Sequence, residues 1–155
     1  MRIKLKNKKN GLEREEKVLG RSEDRYLALF NHSFDCVYLL DFEGNFIDAN
    51  PAALNLLGRE REELSSLNVK SILMPDQVGE VLKAIEEIKK RGSLKRLREY
   101  KLRRKNGEYA HIETEASIVY HDGKPFAVQG IARDITERKR AGEKEKQYIT
   151  DLMSL

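Results

Sequence analysis

The chain has 155 residues, 39% of them hydrophobic and 36% charged, with 30 Lys and Arg against 26 Asp and Glu for a formal net charge of +4. That length predicts one domain, large enough to bury roughly 70% of the surface of its unfolded chain. Clear apolar periodicity argues against a disordered chain, and the longest apolar run, Cys36 to Leu40, falls far short of the roughly 18 residues of a membrane helix.

Residues 1–21 are polar, with Leu12, Val18 and Leu19 as a weak apolar stripe, and are expected to form a partly helical basic arm. Ser22 reads as the N-cap of a short helix ending near Asn31, with Glu23 and Asp24 suiting the positive end of the helix dipole. Phe34 to Asp41 and Phe46 to Ala49 read as strands of a hairpin that turns at Asp41 to Asn45. Asn50-Pro51 then caps a helix that Gly58 ends. Residues 59–74 read as irregular. Val78, Val81, Leu82, Ile85 and Ile88 recur on one face of a longer helix that opens at Pro75-Asp76 and stops at Gly92.

Leu94 to Arg104 and Glu108 to Tyr120 read as strands joined at Asn106-Gly107, a strong hairpin signal. In the second of them Ala110, Ile112, Thr114, Ala116 and Ile118 alternate with His111, Glu113, Glu115 and Ser117, so the even positions face the core. His121 to Lys124 turns into a last strand, Pro125 to Arg133, and residues 134–155 are polar and helix-prone. Strands grouped around intervening helices predict an α+β fold with one antiparallel sheet. The domain is expected over 22–138, with 139–155 as a C-terminal linker helix. Gly20 and Tyr26 recur as Gly142 and Tyr148 at an offset of 122 residues that Glu15 and Glu137, and Lys17 and Lys139, also keep. The two polar helices therefore read as repeats of one pattern, or as unrelated.

The charge is uneven. Residues 1–10 carry five bases and no acid, and 89–105 carry ten bases and one acid, Glu99; together they hold +14 and leave −10 on the other 128 residues. The second patch reads as a sheet edge blunted by charge. Nucleic-acid binding through residues 1–9 and 89–105 is the alternative, since clustered bases neutralise phosphates. The basic start lacks the apolar core of a secretory signal, and the single cysteine fits a reducing compartment, so a cytoplasmic location is expected.

Catalytic chemistry finds little footing. His32, His111 and His121 are scattered, and neither a phosphate-binding glycine loop, a nucleophile elbow, zinc-ligand spacing nor kinase ATP-binding motifs occur. Glu62-Glu63 and Glu86-Glu87 read as solvated faces. The expectation is a protein that is not an enzyme and carries no metal set.

The run Asp41 to Gly58, the segment Arg61 to Leu64, the turn Arg104 to Glu108, the turn Asp122 to Pro125 and the motif Gly130 to Arg138, with its Asp134-Ile135-Thr136, stand in order over about residues 22–139. In that order and spacing the sequence resembles a PAS domain, the sensor module of prokaryotic signalling proteins such as two-component histidine kinases. The resemblance implies a five-stranded antiparallel sheet of order 2-1-5-4-3 cupping a pocket under its helices. It also implies signal output through the helix after Asp134, Ile135 and Thr136. At that junction Asp134 is placed to accept backbone N–H bonds and Thr136 to cap. A homodimer, and an output domain or partner kinase or effector, are implied partners.

Cofactors of the family are tested residue by residue. Haem-binding members often carry an axial histidine on the long helix before the third strand; Asp76 to Arg91 has none. Flavin-photochemical members carry a cysteine in an Asn-Cys-Arg motif on a short helix; Cys36 instead lies in the first strand and reads as a buried small hydrophobe. Both counts are against a haem or flavin redox sensor, and the cofactor stays unknown. The pocket candidates, by strand face and helix period, are Val37, Leu39, Leu56, Ile72, Val81, Ile85, Ile112, Thr114, Ala116 and Val128. With Thr114 the only polar member, the expected ligand is small and mostly apolar, and a filled core is the alternative.

Overall fold

The structure, a computed structural model, describes residues 2–94 and 97–155, apart from the side chains of residues 2–8, 15, 18 and 19. Lys95 and Arg96, in the expected basic patch, lie outside the described residues, as do the side chains of Val18 and Leu19 and the basic side chains of residues 2–8. Residues up to Ser33 form one unit, and Phe34–Leu155 form a second.

The first unit is a single helix, α1 (Arg2–His32). Ser22 therefore sits inside a helix and caps nothing, and the expected break between 21 and 22 does not occur. Leu, Glu, Lys and Arg dominate the stretch, and no proline interrupts it. Gly11 and Gly20 each weaken it by only about 1 kcal/mol relative to alanine. Tyr26 and Phe30, one turn apart, stack with ring centroids 6.0 Å apart.

The second unit runs β1 (Cys36–Leu40), β2 (Phe46–Ala49), α2 (Pro51–Leu57), a 3-10 helix (Arg61–Ser66), α3 (Val69–Ile72), α4 (Pro75–Arg91), β3 (Arg98–Arg103), β4 (Tyr109–His121), β5 (Lys124–Asp134) and α5 (Thr136–Met153). The five strands form one antiparallel sheet of order β2-β1-β5-β4-β3, as expected. The stretch 59–74, expected to be irregular, holds the 3-10 helix and α3. The third strand begins at Arg98 instead of Leu94, whose N–H still bonds the Ala116 carbonyl at 3.1 Å.

Turn chemistry explains the meander. Asp122 and Gly123 both have positive φ, 51° and 75°, the two-residue turn whose twist matches the flanking strands. The Asn106-Gly107 signal does join β3 to β4, but through a wider loop closed by Arg104 N–H to Glu108 O at 2.8 Å.

Asn50 fastens the crossover. It is fully buried, its Oδ1 accepts from Ala53 N at 3.0 Å and Val37 N at 2.9 Å, and its Nδ2 donates to Asp35 O at 3.0 Å. One side chain thus caps α2 and holds it against the start of β1. On α4 the expected stripe faces inward, with Val81, Ala84, Ile85 and Ile88 buried, while Lys89, Lys90 and Arg91 crowd its C-terminus, where cations suit the dipole. The core lies between α2–α4 and one face of the sheet.

Candidate ligand cavity and output junction

A cavity of about 100 Å³ lies inside this core. Of the ten expected residues, eight line it: Leu56 from α2, Ile72 from α3, Val81 and Ile85 from α4, Ile112, Thr114 and Ala116 from β4, and Val128 from β5. Val37 and Leu39 do not. The face of β1 that lines the cavity carries Cys36, Tyr38 and Leu40, so the expectation for this strand is one residue out of phase. All five residues of β1 are apolar or aromatic, and alternation gives no phase there.

Tyr38 is the largest consequence of that phase. It lies opposite Gly130 on β5, where an added Cβ would sit 2.0 Å from the Tyr38 ring. The glycine lets the ring lie flat across the sheet and bring its hydroxyl 2.8 Å from Thr114 Oγ1. Thr114 donates its one hydrogen to Ile131 O at 2.9 Å, so Tyr38 is the donor to Thr114. Burial pushes the Tyr38 phenol up to about 12, against the opposing hydrogen bond with Thr114, so it is a neutral donor. Burial likewise pushes the Cys36 thiol up to about 11, with the charges of Asp134 and Asp35 adding to it. At neutral pH it is a thiol and a poor nucleophile.

Arg98 completes the lining at β3, directly opposite Thr114. Its Nη2 lies 3.4 Å from Glu87 of α4, while its Nε is buried with no acceptor. Leaving a buried donor unpaired costs about 1–3 kcal/mol. From the sequence Arg98 reads only as part of a charged sheet edge. The rest of that patch turns largely to its own fold. Arg104 donates to Leu56 O at 2.7 Å and Asn55 O at 3.3 Å at the end of α2. Lys105 Nζ lies 2.8 Å from Glu63, and Lys101 sits 4.6 Å over the Tyr109 ring.

The junction between β5 and α5 uses the opposite faces of the same strands. Ile135 is buried and its N–H bonds His111 O at 2.8 Å. Thr136 Oγ1 accepts from His111 N at 3.0 Å and donates to Asp134 Oδ1, which also accepts from Thr136 N at 2.9 Å. The acceptor role expected of Asp134 is thus present, whereas Thr136 is the first residue of α5 and does not cap it; its hydroxyl instead ties β4 to α5. One turn on, Arg138 lies 3.1 Å from Glu113 on β4 and 3.7 Å from Glu99 on β3, and Lys139 pairs with Glu99. The lone acid of the basic patch is therefore an anchor for α5. The Lys139 hydrogen bond holds the Glu99 carboxyl below its ordinary 4.5, outweighing a smaller desolvation effect. No sequence signal marks these pairs, which are 25 to 40 residues apart.

Large cofactors do not fit this site. Ligand pockets for drug-sized molecules run to about 300 Å³ or more, well above the cavity here. His111 lies on the outward face of β4 with Glu113 and Glu115, away from the cavity lining. Neither haem nor flavin is accommodated by this arrangement.

Residues 46–132 match the family model described as the PAS fold. The chain belongs to the PAS-fold family. It is 24% identical over 153 residues, 98% of its length, to a sensor histidine kinase, TmoS, of Ectopseudomonas mendocina, and spans 16% of that protein. A domain of a sensory box sensor histidine kinase/response regulator from Geobacter sulfurreducens superposes with a TM-score of 0.64 at 28% identity, over 75% of this chain and 96% of that one. An RNA-binding light-oxygen-voltage receptor shares the fold at 18% identity and a TM-score of 0.68, over 83% of this chain and 37% of the other. This PAS domain thus has the sensory fold of signalling proteins, and no helix among its described residues is long and apolar enough to cross a membrane.

Proposed function

We propose that this PAS domain is a non-enzymatic, cytoplasmic sensor that admits a small, mostly apolar ligand to its cavity and passes the signal through α5 to an output domain or partner, of which a histidine kinase is the leading case. The observation that carries this reading is the shared use of β3 and β4. Arg98 and Thr114 face the cavity, while their chain neighbours Glu99 and Glu113 hold α5. A ligand that shifts either strand shifts the anchor of the helix. Dimerisation is proposed on the half-exposed apolar strip of the outer sheet face, where Val37 lies opposite Ile131, and on exposed Tyr148, Ile149 and Leu152 of α5.

Native mass spectrometry of freshly purified protein, paired with its absorption spectrum, tests the ligand. A small non-covalent adduct is expected, and it should vanish in Ala116→Phe, which fills the cavity. Haem or flavin bands would overturn the reading, as would an adduct that survives the filled cavity. Light scattering at rising concentration tests the dimer, and a persistent monomer removes it.

A further inference from the structure

We propose that the cavity is built for a small aliphatic monocarboxylate, its carboxylate on the Arg98 guanidinium and its alkyl body among the side chains beneath α4. This rests on the cavity being a ligand site, and it adds the chemical class. Among the described residues, the buried side-chain nitrogens without an acceptor are Arg59 Nε and Arg98 Nε, and of the two only Arg98 lines the cavity.

Two of the neighbouring hydroxyls, those of Tyr38 and Thr114, have no proton to offer. The Tyr38 hydroxyl donates to Thr114, and Thr114 donates to Ile131 O. Each hydroxyl carries one hydrogen, so both are committed. Beside the Tyr100 hydroxyl, which lies against Arg98, the donor available to a guest is the Arg98 Nε–H, on a cavity-lining residue of β3 directly opposite Thr114.

The present partner of Arg98 is a poor one. Glu87 meets Nη2 at 3.4 Å, leaves Nε bare, and is shared with Arg91 at 3.6 Å. A guest carboxylate can instead take Nε–H and one Nη2–H side by side, the planar two-point pairing that guanidinium makes with carboxylates. One cation with an apolar surround selects a monoanion without hydroxyls. A dicarboxylate or a sugar would bury unpaired polar atoms. Size limits the body: a cavity of about 150 Å³ holds the six non-hydrogen atoms of benzene, so about 100 Å³ suits roughly four, the carbon chain of a short acid such as butyrate.

Butyrate and its neutral isostere butyramide are the probes. They are titrated into the full chain at pH 7 while the methyl NMR signals of Ile85 and Ile112 are followed. Butyrate is expected to shift these methyls with a Kd about tenfold below that of butyramide, the worth of a charge-assisted pair. Arg98→Gln should bring the two probes to parity. Glu87→Gln removes the competing carboxylate from a partly exposed helix position, and it should tighten butyrate several-fold while leaving butyramide unchanged. Equal affinities in the unaltered chain, or a butyrate preference that survives Arg98→Gln, would overturn the Arg98 assignment and leave the cavity a ligand site. Methyls that respond to neither probe would overturn both. Should Arg98→Gln fail to fold, Glu87→Gln decides alone, and a variant with unchanged butyrate affinity sinks the proposal.

Discussion

The two faces of the β3–β4 pair are held by different physics. The inner face is dry. Thr114, Ala110, Ile112, Tyr100 and Leu102 are buried, and position is fixed by packing and by the hydroxyl chain from Tyr38 through Thr114 to Ile131. The outer face holds α5 with ion pairs whose partners, Glu113 at 13% aside, are largely exposed: Arg138 at 61%, Glu99 at 49% and Lys139 at 40%. Buried contacts of the first kind are short-ranged and intolerant of displacement. Exposed pairs of the second kind contribute little each and are screened by salt. The contrast is one of rigidity: the inner face is fixed by packing, while α5 on the outer face is held by contacts that are easily exchanged.

Altering the inner face should have the largest effects. Gly130→Ala places a methyl within the Tyr38 ring and forces its hydroxyl off Thr114. A loss of about 3 kcal/mol in urea unfolding is expected, at the upper end for overpacking. The double variant with Tyr38→Ala should be less destabilised than the sum of the two single variants, because the clash is then removed. Additivity would show that the ring does not occupy this space. Thr114→Val keeps the shape but strands the buried Tyr38 hydroxyl, and about 2 kcal/mol should be lost. If Thr114→Val unfolds at the same urea concentration as the parent, the hydroxyl chain is not what fixes this face.

The difference between the faces also explains what was legible beforehand. On β4 nearly every second residue is charged or polar, so its phase can be read, and Ile112, Thr114 and Ala116 face inward as the alternation predicts. On β1 the run Cys36 to Leu40 has no such contrast, and the phase slipped by one, exchanging Tyr38 for Val37 and Leu39. Gly130 held the missing signal, since a glycine in a strand interior marks a close approach by some other group. The sheet order came through resemblance and not from periodicity, which cannot order strands. Ser22 misled for a different reason: a local capping preference is weaker than continued helix propensity on both sides. The α5 anchors were out of reach because pairing of Glu99 with Lys139 is set by tertiary register, and local patterning reads such charges as solvated.

The junction itself divides into a firm part and a soft part. Thr136→Ala removes the bond from the half-buried His111 N–H to Oγ1 and should loosen the start of α5 by about 1 kcal/mol. Amide exchange is the readout, with faster exchange at the first turn of α5 and little change on β1. Uniform acceleration across the sheet would mean that Thr136 supports the whole fold rather than the joint.

The soft part should respond to pH and salt with the smallest effect of all on global unfolding. Glu99 has a carboxyl lowered from its ordinary 4.5 by the Lys139 hydrogen bond, so the folded form favours the charged carboxylate. The stabilisation it gives is complete above the unfolded value of about 4.5 and fades as pH falls through the lower folded value. Acidification across that window should therefore speed amide exchange in the first turns of α5 while β1 and β5 stay protected. Raising salt at pH 7 should do the same in part, because these pairs are exposed. Glu99→Gln should reproduce the acid effect at neutral pH and remove the pH dependence from that turn. If α5 exchange in Glu99→Gln still follows the acid limb, another carboxylate, with Glu113 the first candidate through Arg138 at 3.1 Å, is the one that holds the helix.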